Sequence, residues 1–173
     1  MKNMKKRFKH VSYIPLLLIV VYILTILSIL IYPSIIQKQD FVEVSVSAQG
    51  NEIYLKTRCL KLTMLSTESQ ILSIQKALSN EKSFRPDTHD LIKNMLEQSG
   101  MKITMARIDF LKENTYYAKL ILEKDNKFIS IDSRPSDAIA ISLRANAPVY
   151  MNQSLLNQYG KNVCIAREEK GMF

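Results

Sequence analysis

The pattern of hydrophobic and polar positions divides the chain into one long apolar run and a following region of short, regularly patterned segments. Alternating positions predict strands, which we place at 41–46, within 52–65, and at 101–111, 115–123, 127–132 and 149–151. Helical spacing predicts helices, which we place at 68–79, 88–99 and 135–145. A last short helix is predicted to begin at Asn152 or Gln153. Antiparallel strands with helices collected on one face indicate an α+β fold, a mostly antiparallel sheet with about three helices packed on it.

The long apolar run predicts one transmembrane helix over residues 13–36, ahead of this domain. No charged residue lies between Val11 and Ile36, and about 20 apolar residues span a hydrocarbon core about 30 Å thick. A cleaved signal peptide is the alternative, but the apolar core of such a peptide is only about 7–15 residues long. The predicted organisation is therefore a basic leader at 1–12, the span at 13–36, and a domain at 37–173.

Charge assigns an orientation to the predicted span. The chain carries 24 Lys and Arg against 16 Asp and Glu, and five of those basic residues precede the apolar run. The positive-inside rule then predicts a single-pass membrane protein with a cytoplasmic N-terminus and an extracytoplasmic domain, bound to the lipid bilayer through residues 13–36. Without the leader the chain is close to neutral, so its net charge is not the clustered basic footprint of a nucleic-acid-binding surface.

The two cysteines, Cys59 and Cys164, both lie in the predicted domain. An extracytoplasmic domain permits a disulfide between them, but sequence does not show that their Cα atoms approach within about 7 Å. Buried free thiols are the favoured interpretation. No metal-ligand spacing involves either cysteine.

Two polar helix starts carry the candidate chemistry. Pro135 is placed at the first position of one predicted helix, where its fixed φ is suitable. Asp87 and Asp90 are predicted as N-cap and third residue of another, where carboxylates accept backbone N–H bonds. Asp137 lies in a first turn, where the helix dipole favours an acid. Capping alone would account for all three carboxylates, and this structural interpretation stays open.

The functional interpretation is phosphodiester chemistry where the helix starts meet, because unpaired N–H groups at helix N-termini bind phosphate. The predicted catalytic residues are His89, Asp90, Asp132 and Asp137. Three arginines are predicted to bind substrate phosphates, which a guanidinium contacts with two parallel hydrogen bonds, namely Arg85, Arg134 and Arg144. Carboxylates are the preferred ligands of hard cations, so Asp132 and Asp137 are the predicted ligands of Mg²⁺ or Mn²⁺.

Several segments of the domain resemble the bifunctional nuclease domain family in order and spacing, over roughly Phe41 to Tyr159. They are Arg85-Pro86, Thr88-His89-Asp90-Leu91, Asn114 to Leu120, Ile131-Asp-Ser-Arg-Pro-Ser-Asp-Ala-Ile139 and Ala147-Pro-Val-Tyr150. The resemblance implies an α+β domain with DNase and RNase activity in some members. Family members usually carry a glycine and an acid entering the first helix, where this chain has Thr67 and Gln70.

These observations predict a membrane-anchored nuclease that hydrolyses DNA or RNA phosphodiesters with metal assistance and low sequence specificity. The alternative is a non-catalytic module of the same fold that binds an anionic ligand or a protein. A homo-oligomer is also predicted, because the apolar sheet face would exceed the area that three helices cover.

Overall fold

The structure is a computed structural model that describes residues 18–26, 40–81 and 84–164. Residues 18–26 are helical and are named α1. A boundary between two units of the chain falls after Gln39. The α+β domain lies in the second unit.

The predicted transmembrane helix lies largely outside the described residues. Its described part is α1, whose nine residues extend about 14 Å at the 1.5 Å rise of an α-helix. In the described part of the chain, no helix combines the length and the apolar character needed to cross a membrane. This finding contradicts the predicted single-pass membrane localisation, with its cytoplasmic N-terminus and extracytoplasmic domain.

The domain contains nine strands and four further helices within the described residues. The strands are β1 (Phe41–Glu43), β2 (Ser45–Gln49), β3 (Glu52–Lys56), β4 (Leu60–Leu65), β5 (Lys102–Lys112), β6 (Thr115–Lys124), β7 (Lys127–Ser133), β8 (Val149–Asn152) and β9 (Lys161–Asn162). The helices are α2 (Glu68–Leu78), α3 (Thr88–Gln98), α4 (Pro135–Arg144) and α5 (Gln153–Tyr159). The predicted α+β class with antiparallel-rich pairing is confirmed. The three longer helices end within one residue of their predicted bounds.

The strands form two sheets rather than one. The first has the order β1-β8-β5-β6-β7 and the second the order β2-β3-β4-β9. All strand pairs are antiparallel except β5 with β8. The prediction of one strand over 41–46 is wrong, because Glu43 pairs with Tyr150 in the first sheet whereas Ser45 pairs with Lys56 in the second. Val44 between them is buried, and its N–H donates to Val149 O at 2.9 Å.

Tight turns hold the β5–β6–β7 meander in register. Residues Glu113 and Asn114, and then Asp125 and Asn126, all have positive φ. Two consecutive residues of this kind are typical of the hairpin turns whose twist matches that of the flanking strands, and Asn and Asp tolerate this conformation well. The short turns confirm the predicted meander.

The core lies between the sheets and α4, which is the most buried helix of the domain. Its buried apolar residues include Ala138, Ile139, Ala140 and Ile141, and it packs against α2, α3 and three strands of the first sheet. Burial of this kind stabilises a fold by roughly 25 cal/mol per Å² of apolar surface. Packing on several sides fixes the position of the α4 N-terminus, which carries the candidate site.

A disulfide joins Cys59 to Cys164, so the favoured interpretation of free thiols is wrong. Strand β9 pairs with β4 through Leu60 and Asn162, which brings the two cysteine Cα atoms to 5.0 Å. That separation lies within the ordinary range for a bridge. The sequence could not show that the two cysteines approach, because their approach depends on two short strands that lie about a hundred residues apart and pair.

The face of the first sheet opposite the helices carries exposed aromatic side chains. Phe110 and Tyr117 stack with ring centroids 4.6 Å apart, and Phe128 is 71% exposed. Arg107 lies over the ring of Phe41 at the other end of the same face. The predicted homo-oligomer stays a prediction, and this face is where it is testable.

Candidate functional site

The start of α3 is closed by a reciprocal pair of carboxylates. Asp87 is the N-cap, and its Oδ1 accepts from the N–H groups of His89 at 2.9 Å and Asp90 at 3.0 Å. In return, Asp90 Oδ2 accepts from the N–H of Asp87 at 3.1 Å. This capping box confirms the predicted structural role of both acids, because it satisfies N–H groups that have no partner within the helix.

The start of α4 carries an arginine–aspartate pair instead. Arg134 occupies the N-cap position, Pro135 follows as the first helical residue, and Asp137 lies in the first turn. The guanidinium donates from Nε to Asp137 Oδ2 at 2.6 Å and from Nη2 to Oδ1 at 3.0 Å. Arg134 is 70% exposed, so its outer face remains open to a ligand.

His89 joins the two helix starts. Its Nε2 lies 3.3 Å from Asp137 Oδ1, and its Nδ1 lies 2.9 Å from Ser73 Oγ on α2. An ionised carboxylate only accepts hydrogen bonds, so Nε2 donates to Asp137; Nδ1 accepts from the serine hydroxyl when the imidazole is neutral and donates to it when the imidazole is protonated. Both side chains of the His89–Asp137 pair are largely but not fully buried, at 19% and 24% exposed. Solvent and a ligand therefore reach the pair from one side.

Arg144, at the end of α4, is buried and links three helices through the hydrogen bonds of its guanidinium. Its side chain is 6% exposed. The guanidinium donates to Asp90 Oδ1 and Asp87 Oδ2, each at 2.8 Å, and to the backbone oxygens of Ser73 at 3.1 Å and Ala140 at 3.0 Å. The structure thus places this predicted substrate-binding arginine beneath the α3 capping box, where its hydrogen bonds are to protein.

Electrostatics keep Asp87 and Asp137 ionised. Partial burial acts to raise the pKa of Asp137, but hydrogen bonds from Arg134 and His89 outweigh it and lower the pKa below its ordinary value. Burial likewise acts to raise the pKa of Asp87, and the Asp90 N–H with the Arg144 guanidinium lowers it overall. Bonding to Asp137 raises the pKa of Arg134. The site therefore presents fixed, paired charges at neutral pH.

Asp132 and Asp137 are not brought together as a pair of metal ligands. In β7 the neighbours Ile131 and Ser133 pair with Leu120 and Ala118, whose side chains are buried in the core. Alternation along the strand then directs Asp132 to the opposite face of the sheet. Among the described residues, no three His, Cys, Asp or Glu side chains converge as a metal site. The predicted use of Mg²⁺ or Mn²⁺ stays a prediction.

The remaining predicted residue, Arg85, is exposed in the segment that leads into α3. Two contributors to the site were not predicted. Ser73 is buried and contacts His89. The sequence could have indicated its burial, because Ser73 lies beside Ile71 and Ile74 on the apolar side of α2. Gln70, noted only as a departure from the family pattern, accepts the N–H of Thr67 at 3.1 Å as part of the α2 cap.

Together these features define an α+β domain in which a histidine–aspartate pair joins two helix N-termini beside an exposed arginine. Residues 55–163, more than half of the chain, match the bifunctional nuclease domain. The chain therefore belongs to the bifunctional nuclease domain family, as its sequence motifs predicted.

Named relatives come from plants and from a bacterium. Bifunctional nuclease 1 of Oryza sativa subsp. indica is 31% identical over 107 residues, which cover 60% of this chain and 32% of the rice protein. Bifunctional nuclease 2 of Arabidopsis thaliana is 29% identical over 107 residues, with coverage of 60% and 32%. An uncharacterized protein of Mycobacterium tuberculosis is 41% identical over 76 residues, or 44% of each chain. The chain thus spans less than half the length of these relatives.

Proposed function

We propose that the domain hydrolyses phosphodiester bonds of DNA or RNA at the site where α3 and α4 begin. The observation that carries the proposal is the hydrogen bond between His89 Nε2 and Asp137 Oδ1, which couples a proton-transfer group to an arginine-bound carboxylate. Histidine is the side chain that changes charge near neutral pH, and it is the commonest general acid–base group. Membership of the nuclease family supports a nucleic-acid substrate.

Each residue has a distinct role in this proposal. The exposed fork of Arg134 contacts a phosphate oxygen, assisted by Arg85 and by the positive end of the α4 dipole. The protonated imidazole gives its Nε2 proton to the leaving sugar oxygen as water adds to phosphorus and the bond from phosphorus to that oxygen breaks. The attacking water loses one proton to bulk solvent, from which Nε2 is protonated again. Asp137 orients the imidazole and stabilises its charged form, while Ser73 holds the other ring nitrogen. These contacts address phosphate, so they do not themselves select a sequence.

The test uses the full chain on labelled single-stranded RNA and DNA, with Mg²⁺, Mn²⁺ or EDTA in parallel, so that the predicted metal dependence is measured as well. The main variant is His89→Gln, whose amide retains a donor and an acceptor but transfers no proton. We expect a loss of at least about 100-fold, since positioned acid–base groups contribute roughly 10²–10⁴-fold. His10→Gln is the matched control, because it makes the same exchange outside the described residues. Equal rates for both variants would refute the role of His89.

A second variant tests the orienting carboxylate. Asp137→Asn removes the negative charge that holds Arg134 and His89, and we again expect turnover to fall at least about tenfold with the fold intact. Asp125→Asn is its control, because that residue lies in the β6–β7 turn at φ 50°, where asparagine is well tolerated. An Asp137→Asn protein that is folded and fully active would remove Asp137 from the mechanism.

The second candidate is a non-catalytic module that binds an anionic ligand or a protein. It is favoured by one observation: both oxygens of Asp90 and both oxygens of Asp87 are occupied by the α3 cap and by Arg144. Binding of an oligonucleotide without turnover, unchanged in His89→Gln but weakened in Arg134→Met, would support this module over the nuclease.

A further inference from the structure

A small cavity of about 260 Å³ is lined by Arg134, the arginine that pairs with Asp137. Its lining mixes polar residues with apolar ones such as Ile53, Met64, Tyr116 and Pro135, of which the first two are almost completely buried. Its polar lining includes Gln70 and Arg134. Ligand sites commonly combine apolar walls with a few well-placed polar groups, and this volume is just below the range for drug-sized molecules.

Gln70 lines this cavity, and its amide has donors that no other group uses in the described part of the chain. Its Oε1 accepts from the backbone N–H of Thr67 at 3.1 Å and from Ser66 Oγ at 2.6 Å. Because a backbone N–H can only donate, this contact identifies the oxygen and the nitrogen of the amide. Both lone pairs of the oxygen are used, whereas Nε2 has no hydrogen-bond partner within the described part of the chain. Gln70 can therefore donate further hydrogen bonds through Nε2, whereas its oxygen has no lone pair left to accept one.

Arg134 connects the cavity to the proposed reaction site. It lines the cavity, and its Nη2 contacts Asp137 Oδ1 at 3.0 Å, the same oxygen that His89 Nε2 approaches at 3.3 Å. A phosphate bound to Arg134 would therefore lie at the edge of the cavity. A ligand with a phosphate and a flat, partly apolar ring attached to it matches this arrangement.

We propose that the cavity binds the base of the nucleotide whose phosphate contacts Arg134, with Gln70 Nε2 donating to a carbonyl oxygen of that base. This inference rests on the proposed function, since it names the substrate of the same site. A base reaches a pocket of this kind only when it is unstacked, so the substrate class is single-stranded or locally opened nucleic acid.

The free donors also predict which bases bind. Bidentate recognition of adenine by a glutamine amide needs a donor and an acceptor together, and the acceptor of Gln70 is already occupied. Guanine, cytosine, uracil and thymine each carry a carbonyl oxygen that accepts from Nε2, whereas adenine carries none. The site should therefore favour these bases over adenine at the nucleotide next to the scissile phosphate.

The experiment is isothermal titration calorimetry on the full chain with uridine 5′-monophosphate, adenosine 5′-monophosphate, ribose 5-phosphate and inorganic phosphate. We expect the uridine nucleotide to bind at least tenfold more tightly than ribose 5-phosphate, and the adenosine nucleotide to gain less than threefold. Chemical-shift change at the Gln70 side-chain amide on adding the uridine nucleotide provides a second measurement that needs no variant.

The variant is Gln70→Glu, which retains an oxygen for the helix cap, as glutamate does in capping boxes, but removes the donor. The readout is the ratio of the two affinities, because the added charge affects the uridine nucleotide and ribose 5-phosphate alike. We expect this ratio to fall to near one. Gln98→Glu, the same exchange at the exposed end of α3, is the control and should leave the ratio unchanged.

The outcomes separate this inference from the proposed function. A uridine preference that is lost in Gln70→Glu supports the base site even if the chain does not cleave RNA. Equal binding of the uridine nucleotide and ribose 5-phosphate overturns the base site, and cleavage of RNA by the same protein would leave the nuclease proposal standing. Binding of none of the four ligands would overturn the base site and count against phosphate binding at Arg134.

Discussion

Replacing Arg144 by methionine tests whether the buried guanidinium holds the site together. Methionine approximates the length and volume of the arginine stem but has no donors. The substitution removes the guanidinium that contacts both Asp87 and Asp90, and it leaves these carboxylates capping α3 without that countercharge. It also leaves the backbone oxygens of Ser73 and Ala140 without these donors.

The magnitude follows from burial. Breaking a buried ion pair by removing one partner costs about 3–5 kcal/mol. Arg144 is 6% exposed, but the two carboxylates are each 31% exposed, so water partly compensates them. We therefore expect the free energy of unfolding to fall by about 3 kcal/mol, at the lower end of that range. With a urea slope of about 2 kcal/mol/M, the unfolding midpoint should fall by about 1.5 M.

The assay is urea denaturation at pH 7, followed by far-ultraviolet circular dichroism, with the disulfide intact. Arg134→Met is the matched control, because its guanidinium also pairs with an aspartate but is 70% exposed. An exposed pair contributes about 0–1 kcal/mol, so this control should shift the midpoint by less than about 0.5 M. Equal midpoint shifts for the two variants would refute the conclusion that Arg144 holds the site together. A fall in the free energy of unfolding below about 1 kcal/mol for Arg144→Met would refute it as well.

Three further predictions follow. Folding lowers the pKa values of Asp87 and Asp137, so the stability that these carboxylates contribute is present above about pH 4 and is lost as pH falls through their folded-state pKa values. The urea midpoints at pH 7 and pH 3 should therefore differ less in the Asp87→Asn/Asp137→Asn protein than in the parent chain. Reducing the Cys59–Cys164 bridge, which closes a loop of 105 residues, should lower the free energy of unfolding by about 2–4 kcal/mol, and dithiothreitol should not affect a variant with both cysteines changed to serine. If copies associate through the aromatic sheet face, light scattering should give a dimer that Phe128→Lys converts to a monomer, and a monomeric parent at all concentrations would exclude this interface.

Local signals explain why most elements of the domain could be predicted. The three long helices begin at polar caps or at a proline and carry apolar residues at helical spacing, and the meander turns use Asn and Asp at positive φ. Such features depend on neighbours within a few residues, so the sequence shows them directly.

Long-range pairing explains most of what was missed. The alternation from Phe41 to Glu43 continues into β2 without a break, although the chain passes from one sheet to the other at Val44. The period of two is the same in both sheets, so the pattern contains no mark of the change. Strand β9 has only two residues, and its pairing with β4 decides that Cys59 and Cys164 meet.

In the candidate site too, local features could be predicted and tertiary contacts could not. Its location at two helix starts followed from local capping patterns, but the roles of its arginines depend on tertiary contacts. Arg134 and Arg144 lie ten residues apart at opposite ends of one helix. Packing of α2 and α3 encloses Arg144 and gives its guanidinium four hydrogen bonds to protein acceptors, whereas Arg134 is 70% exposed and pairs with Asp137. The buried guanidinium cannot give up its partners without a loss of stability, so we expect Arg134 rather than Arg144 to contact a substrate phosphate.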